Sequence, residues 1–244
     1  MPLLLEAEHV SVAYGRLAAL DDVTLAIPEG NLVALLGANG AGKSTFLKAV
    51  AGLVPVGCGG LRLAGEPLDG PAHERARRGV CLIPEGRGIF PALTVAENLR
   101  VAVGEDRAAI SKISGYFPVL GERMDQLAGT LSGGEQQMLA LARAVSGPSS
   151  RPSLAGGSGP ALLMVDELSL GLAPILVGML FETLARLHAE EGATILLVEQ
   201  YATHALRLAD LVYILNRGQL VWAGEPDELR ASKVLVETYL GAEV

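Results

Sequence analysis

The chain has only two cysteines, Cys58 and Cys81, in 244 residues. That is too few for a disulfide framework, and the pair lacks metal-site spacing, so both are expected to be reduced thiols in a cytosolic protein. Long apolar runs are missing as well. Half of the residues are hydrophobic and the mean hydropathy is +0.38, which raises the question of a membrane span. Crossing a bilayer takes about 20 nearly uninterrupted apolar residues, whereas the runs here are short, as in buried parallel strands. The opening Met1-Pro2-Leu3-Leu4-Leu5-Glu6 has neither the basic start nor the small-residue cleavage site of a signal peptide. Basic residues are in the minority. The net charge of −8 and the pI near 5.1 argue against nucleic acid as the main partner, because phosphate backbones require clustered Lys and Arg. What remains is a chain long enough for one large domain, or for a core with a smaller subdomain.

Glycine, by contrast, is placed where chemistry can use it. Gly37-Ala38-Asn39-Gly40-Ala41-Gly42-Lys43-Ser44-Thr45 follows the apolar run 32–36 and precedes the helix-like 46–51. A strand, a glycine-rich turn and a Lys-Ser pair opening a helix make the phosphate-binding P-loop, or Walker A, arrangement. Glycines let successive backbone N–H groups turn toward phosphate oxygens, and the helix N-terminus adds a favourable dipole. Lys43 has the reach for β- and γ-phosphates, and the Ser44 hydroxyl suits Mg²⁺. A nucleoside triphosphate is the expected ligand.

Along the chain, short strand-like runs occur at 3–5, 10–14, 23–27 and 32–36, then at 61–63 and 80–83. Gly65-Glu66-Pro67 and Asp69-Gly70-Pro71 read as turns. From 94 to about 128 the pattern is helical, with Val95, Leu99, Val103, Ile110, Ile113 and Phe117 as apolar faces. A strong helix is expected from 135 to about 145, and buried strands return at 161–165, 194–198 and 211–215, separated by helices near 174–190 and 202–209. Strand–helix alternation on both sides of a helical insert implies an α/β core carrying a small helical subdomain. Residues 147–160, rich in Gly, Pro and Ser, read as a flexible surface loop.

Two more motifs carry chemistry. The apolar run 161–165 ends in Asp166-Glu167, and a buried strand places such terminal acids at the sheet edge where α/β folds bind ligands. Asp166 suits the Mg²⁺ shell, directly or through water, and Glu167 suits a general base for the attacking water. In Leu131-Ser132-Gly133-Gly134-Glu135, Ser132 reads as an N-cap, and Gly133 and Gly134 expose N–H groups at a second anion-binding helix terminus.

Walker A at 37–45, the signature at 131–135 and the Asp166-Glu167 pair stand in the order of ABC-transporter ATPase subunits, which the chain resembles over essentially its whole length. The resemblance implies an α/β fold: a P-loop NTPase core of mainly parallel sheet with an antiparallel β subdomain and a helical subdomain. The core would span about 1–85 and 161–244, the helical subdomain about 86–146, and the flexible insertion 147–160. It further implies ATP and Mg²⁺ as cofactors and head-to-tail pairing of two cassettes. Each ATP would lie between one P-loop and the partner's signature helix, contacted by Ser132, Gly133, Gly134 and Glu135. Tyr14 occupies the place of the adenine-stacking aromatic, and Ser169-Leu170-Gly171-Leu172 that of the D-loop. The implied partners are transmembrane permease subunits and a paralogous ATPase chain or a second copy, with peripheral association at the cytoplasmic face of the cell membrane.

Three positions depart from the general family pattern. Glu85 replaces the Q-loop glutamine and keeps an oxygen for Mg²⁺ or its water. Gln200 replaces the switch histidine; its amide can donate to the γ-phosphate but cannot carry charge or shuttle a proton. His204, four residues on, is not assigned that role. Leu168 stands where proline usually follows the Asp-Glu pair. The strings around Glu85, 132–139, 169–174 and 197–200 resemble the second ATPase subunit of branched-chain amino acid importers, and urea and amide importers share several of them. Two further readings stay open: a weakly hydrolysing regulatory nucleotide-binding subunit, and a soluble ABC protein of DNA repair or translation. The latter would show tandem cassettes or a long coiled coil.

Overall fold

Side chains of a strand face alternately up and down, so an unbroken apolar strand needs cover on both faces. Leu32–Leu36, Leu162–Asp166 and Ile195–Glu199 are buried at every position, and a computed structural model of the chain shows what covers them. It describes residues 1–86, 88–104, 106, 110, 113, 115–146, 160–200, 202–232 and 235. The strands in chain order are β1 (Leu3–Tyr14), β2 (Leu17–Pro28), β3 (Leu32–Leu36), β4 (Cys58–Leu63), β5 (Glu66–Pro67), β6 (Val80–Ile83), β7 (Leu162–Asp166), β8 (Ile195–Glu199), β9 (Leu211–Asn216) and β10 (Gln219–Gly224).

They form two sheets. One has the order β10-β9-β3-β8-β7-β6 and is parallel except for β10. The other, β2-β1-β4-β5, is antiparallel. Alternate residues of the parallel strands enter two separate cores. Ala34, Leu36, Val165 and Leu197 pack with the helices Val95–Val103, Gly133–Ser146 and Pro174–Glu191. Val33, Leu35, Met164 and Val198 pack with β1, β2 and the helix Lys43–Val50. In that helix Phe46 and Leu47 are fully buried, each worth about 1.5–3 kcal/mol. Its C-terminal carbonyls, Ala49 O and Val50 O, accept from the buried Arg75 guanidinium at 2.7 and 3.0 Å. Among the described residues, no helix is long and apolar enough to cross a membrane.

The structure corrects several expected elements. Runs 3–5 and 10–14 are one strand, and 23–27 lies inside the longer β2. The apolar pattern breaks at His9 and Asp22, which take left-handed backbone (φ 54° and 58°) at register irregularities without ending the strands. The stretch 94–128 is not continuously helical. A helix runs Val95–Val103, closed by a Thr94–Glu97 capping box and by Gly104, and a short one follows at Pro118–Gly121. Val95, Leu99, Ile113 and Phe117 are buried as expected, while Val103 and Ile110 are only half-buried. The elements Ala72–Arg77, β10 and Pro226–Ala231 were not expected from the pattern. Of the insertion 147–160, only residue 160 lies within the described residues.

Candidate nucleotide site

Parallel pairing puts the C-terminal ends of five strands on one edge, where open α/β sheets bind ligands. β9 leads into Arg217, β3 into the P-loop, β8 ends at Glu199, β7 at Asp166, and β6 leads into Pro84-Glu85. The separate sequence motifs therefore meet in space. A cavity of about 370 Å³ opens there, lined by Asn39–Thr45, Glu167, Arg217 and residues 17–19 at the start of β2. Gly42 has φ 108°, and a Cβ on it would sit 2.6 Å from Ala19 O, so glycine is required both for conformation and for closeness.

Lys43 opens the P-loop helix and is 4% exposed. Its Nζ donates to Gly37 O at 2.8 Å and Ala38 O at 3.2 Å, and lies 3.9 Å from Glu167 Oε1. Burial lowers its pKa, with Glu167, Asp166 and Glu199 pulling the other way. The Ser44 hydroxyl donates to Asp166 Oδ1 at 3.0 Å. Burial raises the Asp166 pKa against the Ser44 bond, and nearby Glu85 raises it further. Burial likewise raises the Glu167 pKa; Lys43 opposes this, while Asp166 and Glu85 add to it. Glu167 has a left-handed φ of 50°, uncommon for a non-glycine residue and concentrated at functional sites.

Three carboxylates, Glu167, Asp166 and Glu199, thus act on the one Lys43 ammonium at this edge. The Ser44 hydroxyl and Asp166 carboxylate, with Glu85 electrostatically near, are the hard oxygen donors that Mg²⁺ prefers. Mg²⁺ usually takes only one or two carboxylates and completes its shell with phosphate and water. The residues fit a Mg²⁺ ion that arrives with a triphosphate.

The other expected site residues lie around this cavity or away from it. Tyr14 ends β1 and is 47% exposed, outside the cavity lining. Gln200 follows β8 and is half-buried. His204 packs against Phe181, ring centroids 4.9 Å apart and ring planes tilted by 37°. Leu168 is buried in the core on the helical side. No residue of 131–135 lines the cavity. Ser132 and Glu135 instead cap each other: the Ser132 N–H donates to Glu135 Oε2 at 2.8 Å, and the Glu135 N–H to Ser132 Oγ at 3.3 Å. Glu135 also pairs with Arg123 at 3.2 Å. A Cβ on Gly134 would meet Leu176 Cδ1 at 2.4 Å, so this glycine serves close helix packing as well.

Three residues at or near the site have no role assigned from sequence. Arg217, in the β9–β10 turn, brings a second cation to the cavity. Fully buried Asn98 fixes the segment after Glu85, accepting from the Phe90 N–H at 2.9 Å and donating to Phe90 O, Leu93 O and Thr94 O. Buried Glu199 holds the turn after Glu167. Arg217 lies in the turn Asn216-Arg217-Gly218 and Glu199 in the 197–200 string, but neither signal marks a role at the site.

Comparison with known proteins gives the same answer. The sequence profile of the ABC transporter family matches residues 20–150. The high-affinity branched-chain amino acid transport ATP-binding protein BraG of Pseudomonas aeruginosa is 41% identical, over 98% of this chain and 100% of its own length. The probable branched-chain amino acid transport ATP-binding protein LivF of Archaeoglobus fulgidus is 35% identical, over 93% of this chain and 94% of its own length. A solved ATP-binding subunit of an ABC transporter superposes with TM-score 0.77 at 30% identity, covering 98% of this chain and 95% of that one. The chain belongs to the ABC transporter family, among its ATP-binding subunits.

Proposed function

We propose that this chain is the ATP-hydrolysing subunit of an importer for branched-chain amino acids, acting at the cytoplasmic face of the cell membrane. The observation that carries the hydrolytic part is the meeting of Lys43, the Ser44–Asp166 pair and Glu167 at one sheet edge. The full-length similarity to BraG supports the substrate class.

In this reading the P-loop N–H groups and Lys43 bind the β- and γ-phosphates, and Arg217 adds positive charge at the cavity wall. Ser44 and Asp166, with Glu85, would hold Mg²⁺, which when bound neutralises developing phosphate charge. Glu167 takes a proton from the attacking water; it lines the cavity, with its carboxylate 3.9 Å from Lys43. Gln200 donates to the γ-phosphate, and Tyr14 stacks on adenine. The signature residues 132–135 belong to the site of a facing subunit, a paralogue or second copy. Residues of about 86–146 form the subdomain that passes dimer closure to a transmembrane permease. ATP does work here only through its differential affinity for closed and open pairs.

Glu167→Gln should keep ATP binding but lower phosphate release by about 100-fold or more, and should accumulate a dimer with ATP by light scattering. Normal turnover in that variant removes Glu167 from the base role. A wild-type chain that binds ATP without releasing phosphate, alone and with its partners, would favour the regulatory reading that Gln200 motivates.

A further inference from the structure

Glu199 ends β8 and is 1% exposed. A buried carboxylate is expensive unless its oxygens are hydrogen-bonded, and the donors it has found all belong to one turn. Its Oε2 accepts from the Ser169 hydroxyl at 2.7 Å and its Oε1 from the Ser169 N–H at 3.2 Å. The Leu168 N–H also lies close enough to favour the ionised carboxylate.

That turn begins at Glu167. The Glu167 N–H donates to Val198 O at 2.9 Å, so β8 grips the segment at two consecutive residues, by the Val198 carbonyl and by the Glu199 side chain. The grip is needed for two reasons. Glu167 sits at φ 50°, a conformation that persists only where surrounding contacts over-determine it. Leu168 does not fix its own backbone as a proline would, so contacts must set the geometry of the turn. Without them, Glu167 can relax toward an ordinary conformation and swing its carboxylate away from Lys43, now 3.9 Å distant.

We infer that Glu199 is a positioning residue for hydrolysis, clamping the 167–169 turn so that the Glu167 carboxylate stays aimed at the P-loop cavity. This rests on the reading of Glu167 as the base. Glu199 touches neither phosphate nor water in this role; it acts through the backbone of its neighbours. The same clamp links the base to the 169–172 segment, because one carboxylate holds the end of the first and the start of the second.

The test uses the full chain as wild type, Glu199→Gln, Ser169→Ala and the double variant. Gln keeps the shape but turns one acceptor oxygen into an NH₂ group that faces a donor; Ser169→Ala removes the hydroxyl donor from a half-buried position. Three quantities are read: ATP Kd, kcat for phosphate release, and hydrogen exchange at the amides of Leu168 and Ser169. Each single variant is expected to lose about fivefold or more in kcat with Kd changed less than about twofold, and the double variant to be no slower than the slower single, as for two groups acting as one unit. Exchange at Leu168 and Ser169 should quicken in Glu199→Gln. A smaller kcat loss, a parallel loss in Kd, or a double variant showing the product of both losses overturns the inference. Should the wild-type chain release no phosphate, the ATPase reading fails by itself. The exchange data then decide the clamp: faster exchange supports it and unchanged protection overturns it.

Discussion

Two glycine-led helix starts in this chain meet one physical problem in opposite ways. The first N–H groups of any helix lack intrahelical partners. At Lys43–Val50 the N-cap is Gly42, which has no side chain to offer, and no acidic residue sits in the first turn. At Gly133–Ser146 the first turn carries Glu135, and Ser132 and Glu135 already cap each other, with Arg123 alongside. The first terminus is left open for an anion. The second is partly satisfied by its own carboxylate, so an incoming phosphate must share space with a negative charge. This asymmetry fits a site whose P-loop half binds ATP within one chain, while the signature half adds a weaker and reversible contact across a pair.

Substitutions at the two termini test this asymmetry. The largest effect is expected from Lys43→Ala, which removes the buried ammonium of the open terminus and should weaken ATP binding by about 100-fold or more in isothermal titration. Affinity retained within tenfold would mean that the N–H groups alone suffice.

Next comes pH. Burial raises the Glu199 pKa to about 7; the Ser169 hydroxyl and N–H oppose this, Glu167 adds to it, and the Leu168 N–H opposes it more weakly. Because the folded pKa lies above the unfolded value, the folded chain binds more protons between about pH 4.5 and 7, and this group's contribution to stability is lost as pH rises through that window. Asp166 and Glu167 shift in the same direction. The difference in Tm between wild type and Glu199→Gln across pH 5–8 isolates Glu199. A Tm difference independent of pH would contradict the raised pKa.

Ser132→Ala opens the second terminus. It should cost about 1 kcal/mol of stability while changing ATP affinity of the single chain less than twofold; a large affinity loss would place the signature residues in the same site as the P-loop. The smallest effect is expected from Arg217→Ala, an exposed cation at the cavity wall worth about 0.2–1 kcal/mol. A few-fold weaker ATP binding with a shallower salt dependence would assign it to the site, and no change would remove it.

Sequence reading succeeded where structure and chemistry are contiguous. β3, β7 and β8 announce themselves because burial on both faces makes each an unbroken apolar run, and the P-loop and Asp166-Glu167 are consecutive residues attached to those runs. It stumbled where the pattern is broken by polar residues that the fold accommodates. His9 and Asp22 interrupt the apolar alternation of β1 and β2 while bonding to each other at 2.7 Å. Edge strand β10 alternates only between half-buried and exposed positions, too faint a signal to separate from a loop. Glu199 was not legible as a site-supporting residue because its partner is brought to it by the fold, whereas Asn98 bonds only to backbone four to eight residues away, which no side-chain pattern marks. Glu199 meets Ser169 across 30 residues of sequence, and no local spacing encodes that contact.

In the proposed assembly one ATP is held by an open helix terminus of one subunit and a self-capped terminus of another. The most direct test is a crystal structure of Glu167→Gln with ATP and Mg²⁺, solved with its assembly partner or as a pair of identical chains. The γ-phosphate oxygens are expected to bond to Lys43 of one chain and to the N–H groups of the 132–134 segment of the facing chain. Phosphates bonded to a single polypeptide, with the signature helix turned away, would contradict it.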